Sequence, residues 1–389
     1  MIKQLLVLII SSLCVVPFVG AQTLMIEKAS ELLKQKELQQ SWQAIQRATL
    51  HPETAQSAHA WYVRSYVSKE LFKDNPQENA SYAPEALKSA QKSIALDTEG
   101  KYRKNSQAVA KFIYTSYYNQ VVGLLNAEKY SEALSKLTQL THDSDELNDF
   151  DAEALYLTGY AYLMLNQTDS VQHYFSRALA AGHRDPLIYE TLSSHYLTKG
   201  EVGKARTMAD MGLILYTDDR GLQIAELNTL MKESQYEKAA DAAEQYLSSY
   251  KKDTEVMLLY GTIQGRLFEI NGEEKHFQNR VSTYEKVLKL EPNNLQANYN
   301  LGITYYNKGV ELINNDEVFE KDIFEFDQLL NVSTGLFQKA LPFVLKASQI
   351  DRENYNTLKA LEGIYYSLNE QEKLAQVQDQ ISSLNDAGR

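Results

Sequence analysis

The side chains best equipped for chemistry are seven histidines, 51 acidic residues and a single cysteine, and their spacing excludes most of what they could do. His51, His59, His142, His173, His183, His195 and His276 are scattered, with no His-Glu-x-x-His and no two four residues apart. No helix face therefore carries a pair of imidazoles for a zinc ion. The sequence holds no Gly-x-Ser-x-Gly, no Gly-x-x-x-x-Gly-Lys-Ser/Thr and no Gly-x-Gly-x-x-Gly, so neither a nucleophile elbow nor a phosphate cradle is encoded. His142 stands beside Asp143 and Asp145 in the stretch from Thr141 to Glu146, an oxygen-rich run without the turn glycine of a calcium loop. Helix capping and loop solvation account for it. Catalysis would have to come from non-contiguous acids such as Glu153 or Glu190. The expectation is a non-enzyme with no cofactor and no metal.

The elements that must position any binding side chains follow from composition. Glycine, at 17, and proline, at 7, are sparse in 389 residues, while 44% of the chain is apolar and 23% charged, which favours long helices. Tyrosine is abundant at 26. Thirty-nine basic against 51 acidic residues give a net charge of −12 with no basic cluster, which argues against nucleic acid and anionic membrane as partners. Residues 1–21 have their own logic: Lys3, an apolar run from Leu5 to Val16 broken only by Ser11 and Ser12, then Pro17 and the small-residue ending Val19-Gly20-Ala21. This is the layout of a cleavable secretory signal, its apolar part shorter than the roughly 20 residues of a spanning helix. The alternative is an uncleaved anchor. Cys14 lies inside this segment behind the bulky Leu13, unlike a lipobox, so the mature chain would carry no thiol, disulfide or zinc–thiolate site. An exported chain of this size without disulfides fits a bacterial periplasm, free or in peripheral association with the outer membrane.

A period of 34 residues runs through the centre of the chain. Val171, Ala205 and Ala239 share it, as do Phe175, Ala209 and Ala243, Tyr162, Tyr196 and Leu230, and Gly159, Ser193, Leu227 and Gly261. Small residues recur where two helices would cross closely and bulky ones where the gap to the next helix must be filled. Pro292 breaks a helix after Leu290, Asn293 and Asn294 suit a turn, and Leu301-Gly302 with Tyr305 begin the next apolar face. With Trp61, Gly159, Tyr162, Ala178 and Pro292 in matching positions, the chain resembles the tetratricopeptide repeat.

That resemblance implies an all-α, right-handed α-solenoid of antiparallel helix pairs over residues 22–389, with units from about 23, 58, 114, 152, 186, 220, 254, 295 and 355. Insertions fall near 71–84, 271–277 and 310–338. The last is acidic and aromatic: Phe319, Phe324 and Phe326 are interleaved with Glu311, Asp316, Glu317, Glu320, Asp322, Glu325 and Asp327. It is a candidate binding surface; the alternative is that both helices of this unit are longer and bury those rings against each other. The final pair, Leu358 to Leu384, keeps a single apolar stripe, as a terminal cap requires.

In the repeat family, ligands meet fixed positions of each first helix. Carried onto this sequence, those positions hold Tyr62, Tyr66, Tyr118, Tyr156, Tyr160, Glu190, Ser194, Asn228, Thr262, Tyr299 and Tyr306. The resemblance thus implies a tyrosine-rich groove nearly free of lysine and arginine, without the family's basic clamp on a C-terminal carboxylate. Such a surface suits a protein or peptide partner. The expected function is a non-enzymatic scaffold for protein–protein interaction in the bacterial envelope. The alternatives are a periplasmic binding module for glycan or another small ligand, and, for individual tyrosines, packing between repeats.

Overall fold

The 34-residue period has a cause in the backbone. Three-residue turns join many of the helix pairs, and in six of them the middle residue is left-handed: Lys36, Glu128, Asn166, Gly200, Ser234 and Asn369, with φ of 63°, 58°, 56°, 74°, 59° and 58°. After each, an N–H reaches back five residues, as from Gln167 to the carbonyl of Tyr162, Glu201 to Tyr196 and Gln235 to Leu230. This is the Schellman closure, which satisfies carbonyls that the ending helix leaves orphaned. The following pair then begins on a capping side chain. Asp185, Asp219 and Asp253, each 34 residues from the next, accept from the N–H of Leu187, Leu222 and Val256, and Asn294 and Asn354 from those of Ala297 and Thr357.

The structure is a computed structural model describing residues 20–142, 148–314 and 323–387. All but the last two residues of the expected signal, with Cys14, the acidic stretch after His142, and Phe319 lie outside them. Every element among the described residues is helical, as expected, and the chain divides after Arg184 into two compact units. The first unit pairs α1 (Gly20–Lys34) with α2 (Leu38–Leu50), α3 (Ala58–Asp74) with α4 (Tyr82–Leu96), α5 (Arg103–Asn126) with α6 (Tyr130–His142) and α7 (Asn148–Met164) with α8 (Thr168–Ala180). The second pairs α9 (Pro186–Thr198) with α10 (Val202–Leu215), α11 (Arg220–Lys232) with α12 (Tyr236–Ser249), α13 (Thr254–Asn271) with α14 (Glu274–Leu290), α15 (Leu295–Asn314) with α16 (Ile323–Ile350) and α17 (Tyr355–Ser367) with α18 (Gln371–Ala387). Within each unit every first helix touches the next first helix, and each second helix fills the space before the next pair.

The periodic residues are those that pack. Phe175, Ala209, Ala243, Val171, Ala205 and Ala239 are buried. Gly159 lies under the ring of Phe175 and Gly261 under that of Tyr284, so that a Cβ at either would enter the ring. At the equivalent position Ser193 uses its hydroxyl, donating to the carbonyl of Ala205 at 2.9 Å across the pair. In the first unit Arg64 lies between Trp42 and Trp61, 5.1 and 5.2 Å from the rings, and donates to Glu85 and Thr49. Cation–π contact and charge-assisted bonds thus lock the first two pairs together.

The insertion near 71–84 leaves a seven-residue link, 75–81, between α3 and α4, whereas that near 271–277 lengthens helices. Around 271–277 the turn is only Gly272-Glu273, with Gly272 left-handed at φ 70°, and α13 and α14 run to 18 and 17 residues. Helix α16 reaches 28 residues.

Candidate functional site

In the first unit the tyrosines of α3 join a ring ladder that extends beyond the positions expected from the repeat. Tyr62 and Tyr66, one helical turn apart, meet edge-on at 6.1 Å. Tyr62 stacks on Tyr102 at 5.7 Å, and Tyr102 on His59 at 4.9 Å. Lys69 sits 3.7 Å from the centre of the Tyr66 ring. Burial, then the nearby Tyr66, raises the Tyr62 hydroxyl pKa, so it remains a proton donor. Burial, aided by Lys101 and opposed by Glu27, lowers that of His59 and keeps the ring neutral.

The second group gathers on α5 and α7. Glu153 accepts from the Tyr118 hydroxyl at 3.4 Å, and its other oxygen lies 3.2 Å from Nδ1 of His183 in the turn after α8. The His183 ring stacks on Tyr156 at 4.4 Å, and Tyr156 stacks on Phe175 at 5.9 Å. Tyr118 remains 37% exposed, and burial followed by the Glu153 charge raises its pKa. Tyr160 leans with Tyr156 on the core shared by α5, α6 and α7. The structure therefore brings Tyr62 against Tyr66 and links Tyr118 to Tyr156 through Glu153 and His183. Sequence reasoning missed His59, Tyr102 and His183 as members. Tyr102 precedes α5 within a stretch where the period is interrupted, and His183 belongs to a turn, a place the first-helix positions do not include.

The second unit treats its candidates differently. Glu190 on α9 lies against Gly221 at the start of α11, close to Asp219, Arg220 and Glu255. Burial first, then the charges of Asp219 and Glu255, raise its pKa against the opposing pull of Arg220. Arg220 is committed elsewhere: it makes two bonds to Asp253, at 2.8 and 3.2 Å, and one to Glu255 at 2.6 Å. Asp253 also accepts from Tyr246 at 3.1 Å, and that bond, after burial, pushes the tyrosine up to about 12. Ser194 is exposed, Asn228 is half-buried on α11, and Thr262 donates to the Leu258 carbonyl and stands 3.4 Å from the Tyr284 hydroxyl. Tyr299 packs on the core of α15–α18, while Tyr306 stands 5.5 Å from Phe337 with its hydroxyl over Gly363. These last two tyrosines serve packing between pairs. Phe324 and Phe326, on the first turns of α16, are 70% and 38% exposed.

Among the described residues no group of three His, Cys, Asp or Glu side chains is placed to hold a metal, and no helix is long and apolar enough to cross a membrane.

No family model matches the chain. A stretch of 120 residues is 32% identical to DNA-directed RNA polymerase subunit beta'' of Stigeoclonium helveticum, which is 29% of this chain and 4% of that one. The chain thus spans a twenty-fifth of that relative, and nothing of its activity transfers. Among solved structures, the C-terminal part of a TPR repeat-containing protein from Cytophaga hutchinsonii is similar over 69% of this chain and 95% of its own, at 12% identity and TM-score 0.49. MamA protein is similar over 52% of this chain and 92% of its own, at 12% identity and TM-score 0.37. What identifies the fold is the molecule's own construction: all-helical units built from antiparallel pairs of the tetratricopeptide kind.

Proposed function

We propose that this chain is a non-enzymatic scaffold, exported to the bacterial envelope, that holds a protein or peptide partner on the tyrosine-bearing first helices of its first unit. The observation that carries this reading is the gathering of Tyr62, Tyr66, Tyr102 and His59 into one ladder, and of Tyr118, Glu153, His183 and Tyr156 into a second group, on helices that touch in succession. Rings prearranged by their neighbours offer apolar area with hydroxyl tips and lose little entropy when a partner settles on them. A glycan is the weaker candidate, because faces that would stack on a sugar are taken: Tyr102 lies between His59 and Tyr62, and Tyr156 is covered by His183. Export rests on the layout of residues 1–21 and on the absence of cysteine after Cys14.

The test is cross-linked affinity purification from the native envelope with the wild-type chain, a Tyr62→Ala/Tyr118→Ala variant and a Phe324→Ser/Phe326→Ser variant, each checked by circular dichroism. A partner held by the wild type and the phenylalanine variant but lost by the tyrosine variant is expected. Retention by the tyrosine variant would remove the first unit from the reading. Enrichment of no protein, with binding on a glycan array, would replace the scaffold with the small-ligand alternative.

A further inference from the structure

The lengthened pair α13–α14 forms a pocket of about 380 Å³ with α15, lined by Phe268, Phe277, Arg280, Thr304, Asn307 and Lys308 among others. Its size is that of a small-ligand site. Two features set it apart from an ordinary groove between helices. First, Arg280 makes no ion pair and no hydrogen bond among the described residues, although its Nε is fully buried. Its guanidinium lies over Gly265, where a Cβ would meet the Nη1 atom at 2.7 Å, and 6.0 Å from the Tyr284 ring. A buried N–H without an acceptor is costly, and native structures rarely leave one; the rest of the guanidinium lines the pocket. Second, the pocket wall is aromatic: Phe268 and Phe277 stand 5.8 Å apart, and Lys308 reaches over the Phe268 ring at 4.7 Å. Lys308 is already answered by Glu311 at 3.3 Å and Glu274 at 3.8 Å, so the uncompensated charge of the pocket is that of Arg280.

We propose that this pocket binds a carboxylate carried on an aromatic or apolar body, the carboxylate taken by the fork of Arg280 and the body by Phe268 and Phe277. A guanidinium matches a carboxylate with two parallel bonds. A single negative charge on an apolar body is favoured over a phosphate dianion because Lys308 is already paired, so that Arg280 answers one charge while Phe268 and Phe277 offer a phosphate nothing. The site is independent of the tyrosine groups and does not rest on the scaffold reading. Two sources supply this chemistry: a free aromatic acid, or an acidic side chain next to an aromatic one in a peptide.

The experiment titrates the full chain with benzoate, benzyl alcohol and inorganic phosphate, and with an amidated, acetylated Phe-Asp-Phe tripeptide, following melting temperature and calorimetry. Arg280→Met, Arg280→Lys and Lys308→Gln variants are run alongside. Benzoate or the tripeptide is expected to bind saturably and raise Tm with the logarithm of its concentration, while benzyl alcohol does not. Which of the two binds tighter identifies the source. Arg280→Met is expected to weaken binding by about tenfold or more. It should keep or slightly raise the ligand-free Tm, because it removes a buried N–H that has no acceptor. Arg280→Lys, which keeps charge and fold but not the fork, is expected to fall between. The proposal is overturned if neither carboxylate binds, if the Arg280 variants bind as the wild type does, or if phosphate outcompetes benzoate.

Discussion

Glu190 shows what a residue of this fold can cost. Its carboxyl is half-buried against Gly221, with Asp219 and Glu255 near and the one local cation, Arg220, spent on Asp253 and Glu255. Burial and those negative charges raise its pKa in the folded state above the ordinary value of about 4.3 that it keeps when unfolded. The native state therefore holds this proton more tightly. The benefit is fully present below the unfolded pKa and is lost as pH rises through the folded one, so that at neutral pH Glu190 works against the fold. Glu190→Gln is expected to raise Tm slightly at pH 7, since half-exposure screens the effect, and to leave it unchanged near pH 4. A melting series of both proteins across that range checks the sign; a variant less stable at pH 7 would mean that the charged form is held by a favourable contact. The repeat register singled out Glu190 as a position on a first helix, and it does lie on α9. Its surroundings were not legible, because Asp219, Arg220 and Glu255 arrive from the next two pairs, and a one-dimensional pattern does not report which side chains those pairs turn towards it.

At the scale of the helix pair, the left-handed turn is the recurring device, and the sequence hides it. Of the six three-residue turns with this conformation, only the one at Gly200 carries the residue that adopts it freely; Lys36, Glu128, Asn166, Ser234 and Asn369 adopt it at a cost. Glu128→Gly is accordingly expected to stabilise the first unit by about 0.5–1 kcal/mol, the relief of αL strain less the extra entropy of an unfolded glycine. Gly200→Ala is expected to cost the second unit about 1 kcal/mol, since a Cβ there meets no atom within 4 Å and the whole effect is backbone strain. Urea titrations of both variants measure the two differences, and equal stabilities would show the turns to be too loose to register the conformation. The period itself was legible because small residues such as Gly159 and Ala205 must stand at helix crossings. The insertions were legible only as breaks in that period: a pattern of apolar positions does not distinguish a loop from two longer helices, and near 271–277 helix lengthening won, with Gly272 closing the turn between α13 and α14.

At the scale of the whole chain, the buried clusters decide how it unfolds. The cores around Ile45, around Ile113 and around Leu137 belong to the first unit, and those around Ile263, Tyr284 and Ile364 to the second. In arrays of repeats each pair is held by its neighbours alone, so stability is a sum of local terms and cooperativity does not extend over a chain of 389 residues. The chain contains a convenient reporter of this: its two tryptophans, Trp42 and Trp61, both stand in the first unit, on α2 and α3. Tryptophan fluorescence thus follows the first unit only, whereas far-ultraviolet circular dichroism sums over all the helices. The two signals are expected to give urea transitions with different midpoints, each with a slope smaller than a cooperative unit of this length would show. The substitutions sharpen the argument, because each should move one signal selectively. Glu128→Gly should shift the fluorescence midpoint upward, while Glu190→Gln and Gly200→Ala should shift only the part of the dichroism transition that fluorescence does not follow. Superimposable transitions that every one of these variants moves together would show that the units fold as one, and the locality inferred from the repeat architecture would be wrong.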